Sequence, residues 1–184
     1  VTKTFKFVAA AAALAASSWA AAAPYNFAGT LSASDPTYNR VLTGNPPTGV
    51  SAVGTSVFYD VYNFYVTTTG SYTIETLSAA FNNGTADDTF ITLYTGNGFN
   101  RLTPLTNALQ ADDDSGPGFL SLITRNLTAN TLYTVVVTSF ANGQTGNYTG
   151  RVNGVGNAFA VPAPATGALV ALALAGLALT RRRA

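Results

Sequence analysis

Between residues 25 and 152 the chain alternates apolar and polar positions in short runs, each closed by a cluster of Gly, Asn, Ser or Pro. A period of two sends successive side chains to opposite faces of a strand. The pattern therefore predicts β-strands at 25–31, 56–66, 71–77, 89–95, 105–110, 119–125, 131–140 and 147–152. Turn chemistry separates them at Thr69-Gly70, Asn82-Asn83-Gly84, Gly96-Asn97-Gly98, Ser115-Gly116-Pro117-Gly118 and Asn142-Gly143. In the second run Phe58, Tyr62, Phe64 and Val66 share one face. Asp60 has the same parity, so it needs a partner if that face is buried. Tyr72 and Ile74 mark the apolar side of the third run. Residues 132–137 are almost continuously apolar and predict a central strand buried on both faces. Residues 33–55, with Pro36, Pro46 and Pro47, predict a loop that caps or crosses the strands. No helical period runs through this region. The expected fold class is all-β, a single antiparallel β-sandwich over residues 23–160.

The two ends follow a different pattern. Residues 1–22 place Lys3 and Lys6 before an Ala-rich apolar stretch with small residues behind it, the order of a secretory signal peptide with cleavage after Ala22. Residues 161–184 have three parts: the stiff Val161-Pro162-Ala163-Pro164, an apolar run from Gly167 to Leu179, and the basic Arg181, Arg182 and Arg183. The positive-inside rule keeps those arginines cytoplasmic and the central domain outside. A signal helix and a hydrophobic helix thus flank the expected sandwich.

This tail resembles the PEP-CTERM sorting signal of exosortase substrates in Gram-negative bacteria. Val161, Pro162, Pro164, the apolar run and the arginines match that pattern, and Ala163 stands where a glutamate is usual. The resemblance implies an exosortase-like sorting enzyme and the inner membrane as partners, transient anchoring in that membrane, and delivery to the cell envelope, surface or extracellular matrix. It also implies a setting of biofilm and exopolysaccharide production. A plain C-terminal anchor is the alternative, and it gives the same topology.

Composition narrows the chemistry. With the ends removed, Arg40, Arg101, Arg125 and Arg151 face eight acidic residues, a net charge of −4 with no lysine. Such a surface does not bind nucleic acid through phosphate neutralisation. The chain has no cysteine and no histidine, which removes Cys/His zinc sites, thiol nucleophiles and His-based triads. Glu75 is its one glutamate. A non-catalytic protein is expected.

From residue 56 to residue 152 the order of pieces resembles the bacterial pre-peptidase C-terminal domain, a small jelly-roll-like sandwich. The pieces are Asp60-Val61-Tyr62-Asn63-Phe64-Tyr65-Val66, Gly70-Ser71-Tyr72-Thr73-Ile74, Asp88-Thr89-Phe90-Ile91-Thr92-Leu93-Tyr94, Asp112-Asp113-Asp114-Ser115-Gly116 and Leu132-Tyr133-Thr134-Val135-Val136-Val137. Phe58-Tyr59-Asp60-Val61-Tyr62 also resembles the Phe-x-Asp-x-Phe stretch of one PEP-CTERM subgroup. Both resemblances imply an accessory or surface role.

Two constellations carry candidate chemistry. If strands 89–95 and 105–110 pair as a hairpin through residues 96–103, Asp87 and Asp88 lie beside Asp112, Asp113 and Asp114. Five clustered carboxylates suit a hard cation such as Ca²⁺. They also suit ordinary solvated turns, where Asp is common. The second constellation is aromatic: Tyr59 and Phe99 are candidates for stacking on sugar rings, or else for strand packing. Two functions are left by the residues, a structural or adhesive component of the matrix and a polysaccharide-binding module, with or without a calcium dependence.

Overall fold

A computed structural model of the chain describes residues 21–82 and 84–161. The signal helix expected in residues 1–22 falls almost wholly outside them, as do Pro162, Ala163, Pro164, the apolar run and Arg181, Arg182 and Arg183. Among the described residues no helix is long and apolar enough to cross a membrane.

The elements among the described residues are all strands: β1 (Tyr25–Leu31), β2 (Thr37–Tyr38), β3 (Val57–Val66), β4 (Gly70–Asn82), β5 (Thr89–Thr95), β6 (Ala108–Asp112), β7 (Leu122–Leu127), β8 (Tyr133–Ser139), β9 (Thr145–Gly154) and β10 (Ala158–Ala160). They form two antiparallel sheets. One has the order β1-β9-β4-β7; the other has β10-β3-β8-β5-β6, with β2 paired to β3. The sheets share one core. Phe27, Leu31, Tyr72, Ile74, Ile123, Leu127, Tyr148 and Val152 from the first meet Phe64, Val66, Ile91, Leu93, Tyr133, Val135 and Val137 from the second.

Strand β8 is buried at every position. Its odd residues Tyr133, Val135 and Val137 enter the inter-sheet core, and Val136 packs on the opposite face with Tyr38, Val57 and Tyr94. The predicted loop at 33–55 supplies that second cover. Strand β2 pairs with β3, Val41 bridges to Val50, and Gly44 bridges to Ala111. Tyr38 and Val41 are buried beneath it.

Five boundaries depart substantially from the sequence pattern. Strand β4 runs on to Asn82 because a bulge between Thr76 and Ser78 re-registers it against β9. The strand expected at 105–110 begins at Ala108 and extends to Asp112. Turn bonds from Thr106 N to Thr103 O and from Ala108 N to Leu105 O, with Asn107 at φ 62°, occupy its first half. The strand expected at 119–125 starts at Leu122, after a turn closed by Gly116 N to Leu120 O at 2.8 Å. The strand expected at 131–140 contracts to Tyr133–Ser139, and the one expected at 147–152 lengthens to Thr145–Gly154.

Asp60 finds the partner its parity demands. The Tyr148 hydroxyl of β9 donates to Asp60 Oδ2 of β3 at 2.6 Å, and Tyr62 Oη lies 2.7 Å from Tyr148 Oη. The Tyr62 hydroxyl also bonds the Ala28 carbonyl of β1 at 2.9 Å. Burial pushes the Asp60 carboxyl up, and the Tyr148 bond opposes it. This triad ties the two sheets together, and Gly29 makes room for it: a Cβ there would collide with both hydroxyls and the carboxylate. Tyr148→Phe leaves Asp60 half-buried without its donor and is expected to cost about 1–3 kcal/mol, read from the urea midpoint at unchanged slope.

Candidate functional site

The β5–β6 hairpin pairs Ile91 with Asp112, so the residues just before β5 lie beside those just after β6. Asp88, Asp113 and Asp114 converge there, each offering a carboxylate oxygen within 4.8 Å of the others. Asp88 and Asp113 are half-buried and Asp114 is exposed. Asp113 Oδ1 is buried with no hydrogen-bond partner. Desolvation, then the Asp114 charge, pushes the Asp88 carboxyl up to about 6. The same two causes push Asp113 up to about 7.

The five carboxylates expected from the sequence reduce to three. Asp112 turns away and is fully engaged. It accepts Ser115 Oγ at 2.6 Å, Ser115 N at 3.2 Å and Leu122 N at 2.8 Å, which holds the turn into β7. Asp87 faces that same turn, with its Oδ2 3.5 Å from Phe119 N. Consecutive residues leaving a strand diverge, so sequence adjacency does not put all five on one side. Three carboxylates with an orphaned oxygen fit a hard, oxygen-seeking cation such as Ca²⁺. Asp88, Asp113 and Asp114 would hold it, and its charge would keep them ionised.

Arg40 lies behind this cluster. It is 3% exposed, with its guanidinium carbon 4.1 Å from the Phe90 ring centroid and 4.5 Å from that of Phe140. Its Nε donates to the Phe140 carbonyl at 2.8 Å and its Nη1 to the Val41 carbonyl at 3.2 Å. Burial lowers its pKa, and Asp113 heads the groups that oppose this.

A second site lies at the other end of the hairpin, on the outer face of the larger sheet. The outward residues Tyr59, Val61 and Asn63 of β3 and Thr134 of β8 form its floor, and the β5–β6 connection over residues 96–107 forms its wall. The groove is open and holds about 760 Å³. Tyr59 and Phe99 are brought together here, with ring centroids 5.0 Å apart and planes at 71°. They are half-buried rather than free, since Phe99 also packs on Tyr38 at 5.2 Å and Tyr94 at 5.4 Å. The Tyr94 hydroxyl donates to the Pro104 carbonyl at 2.9 Å and pins the connection over the sheet. Thr134 Oγ1 lies 2.7 Å from Asn63 Oδ1 and 2.6 Å from the Gly96 carbonyl.

Sequence reasoning found the two rings and missed their polar neighbours. Asn97, Asn100, Arg101, Thr103, Thr106 and Asn107 all line the groove. Several read as turn residues, but their density in one long connection was the available signal. Val161, where the resemblance to a sorting signal begins, also lines the groove, and its amide bonds the Asn63 carbonyl at 2.9 Å.

The fold and groove define an all-β, two-sheet domain with an open groove on its outer face. No family model and no curated protein matches the chain. Among solved structures, the chain is similar to a CBM35 from Cellvibrio japonicus Abf62. The identity is 20%, the match covers 74% of this chain and 99% of the other, and the TM-score is 0.35. A likeness at that level carries no argument about fold or ligand.

Proposed function

We propose that this protein is an exported, non-catalytic surface module that holds a polysaccharide in the groove above β3 and β8. The order β1-β9-β4-β7 against β3-β8-β5-β6 supports reading the sandwich as a jelly roll. The single observation that carries the function is the groove lining, two aromatic rings beside a dense set of amide and hydroxyl side chains. A sugar ring presents apolar C–H faces and a rim of hydroxyls, so it needs both kinds of surface. None of the acidic residues lines the groove, so the site offers no carboxylate pair for glycoside hydrolysis. The resemblance of the two ends to export and sorting signals supports a position outside the cell, in an exopolysaccharide setting.

Affinity electrophoresis through gels containing bacterial exopolysaccharide tests this. Retardation of the wild-type domain should fall at least about tenfold in affinity in Phe99→Ala, since burying a phenylalanine ring is worth about 1.5–3 kcal/mol. Tyr59→Ala should behave alike, with near-ultraviolet circular dichroism confirming that both variants are folded. A domain that no polysaccharide retards would sink the reading and leave a passive matrix component.

Calcium enters as a second reading on the strength of the orphaned Asp113 oxygen. Strand β5 spans seven residues, so the carboxylate cluster stands about 20 Å from the groove. A cation there would stabilise the domain without touching its ligand.

A further inference from the structure

We propose that the polymer held in the groove is anionic, its charge a carboxylate or a sulfate ester, and that Arg101 is its counter-charge. This rests on the groove being a polysaccharide site. The described residues contain four arginines and no lysine. Three are committed. Arg40 is buried between Phe90 and Phe140. Arg125 bonds Asn45 Oδ1 at 2.6 Å and the Leu109 carbonyl at 3.1 Å. Arg151 pairs with Glu75 at 2.7 Å. Arg101 is the fourth, and it is exposed in the groove wall with no hydrogen bond or ion pair to any described residue.

The charge distribution points the same way. The domain carries −4, yet no carboxylate lines the groove, so Arg101 sets the local sign alone. Elsewhere an acidic polymer meets like charge; at the groove it meets a guanidinium, so repulsion and attraction together direct it there. The planar fork of arginine matches two oxyanion oxygens at once, whereas a neutral sugar uses only part of it. Asn97, Asn100 and Asn107 stand beside it to take the ring hydroxyls. An uncharged polymer would leave that fork bonded to water and would gain nothing from it.

The test compares matched polymers on the folded chain: polygalacturonate against its carboxyl-reduced form, and dextran sulfate against dextran. Wild type is expected to bind the anionic member of at least one pair about tenfold more tightly than its neutral counterpart, the worth of one charge-assisted contact. Which pair responds distinguishes carboxylate from sulfate. Arg101→Gln should bring the two affinities together, and raised salt should shrink the wild-type difference. Equal retention of charged and neutral polymers by wild type overturns this inference and leaves the groove reading standing, as does a preference that survives in Arg101→Gln. Retention of no polymer at all removes both.

Discussion

Arg40→Ala is expected to lower the unfolding free energy by about 3–5 kcal/mol, the range for removing one member of a buried charged set. The side chain is the centre post of the outer cover. Its backbone bonds Gly54 and Ser51, its guanidinium sits between two rings, and its Nε satisfies the Phe140 carbonyl. Gly54 packs so closely that a Cβ there would meet Arg40 Nε at 2.5 Å. Truncation orphans a carbonyl, opens a cavity and removes the cation nearest Asp88 and Asp113. Arg40→Met fills most of the volume and should recover only the packing share. The loss should be greater at pH 8 than at pH 5, because at pH 5 both carboxyls are protonated in the folded domain. Urea unfolding of the three proteins decides the matter, and a loss under about 1 kcal/mol at pH 8 would reduce Arg40 to ordinary packing.

The second large effect is a melting temperature that depends on calcium and pH together. In the unfolded chain Asp88 and Asp113 titrate near 3.9. In the folded domain they titrate at about 6 and about 7. Between those limits the folded state binds more protons, so stability is fully present below about pH 4 and is lost as pH rises through 6 and 7. The metal-free domain should therefore melt lower at pH 8 than at pH 5. Bound calcium would hold the carboxylates ionised and reverse this loss. At a hundredfold excess over its dissociation constant it stabilises by about 2.7 kcal/mol, a rise on the order of 10 °C at pH 8 and little at pH 5. Replacing Asp113 and Asp114 by Asn should abolish the calcium response and raise the metal-free melting point at pH 8. Identical melting in calcium and chelator at pH 8 would reduce the cluster to solvated turn chemistry.

The parts of this structure that sequence made visible are those governed by local alternation. Phe64 and Val66 share the inward face of β3, Asp60 needed and found a partner, and the run from Tyr133 to Val137 is buried on both faces. The hairpin that sets Asp88 near Asp113 was equally legible, since it needs only two neighbouring strands and a turn. What stayed hidden depends on distant pairing. Nothing local tells Gly44 that it will bridge Ala111, or Arg40 that it will lie under Phe140, one hundred positions away. Three prolines made residues 33–55 read as a simple cap, and its buried Tyr38 and Val41 show how much packing a proline-rich segment can carry. The groove was half legible for the same reason. Tyr59 lies on a readable strand, whereas Arg101 and its asparagines lie in a connection whose path is set by the Tyr94 bond to Pro104.

Strand β10 holds only three paired residues, Ala158, Phe159 and Ala160, against the edge of β3, and Val161 adds one more hydrogen bond, from its amide to the Asn63 carbonyl. That places the last of the described residues in the wall of the groove. A pull on Val161 would load this one short edge first, where Ala158 is the one side chain of β10 in the inter-sheet core. The bonds of β10 then open one after another from the end that is pulled. Under load the domain would give up β10 and the Val161 edge of the groove while β3, β8, β5 and β6 stayed paired.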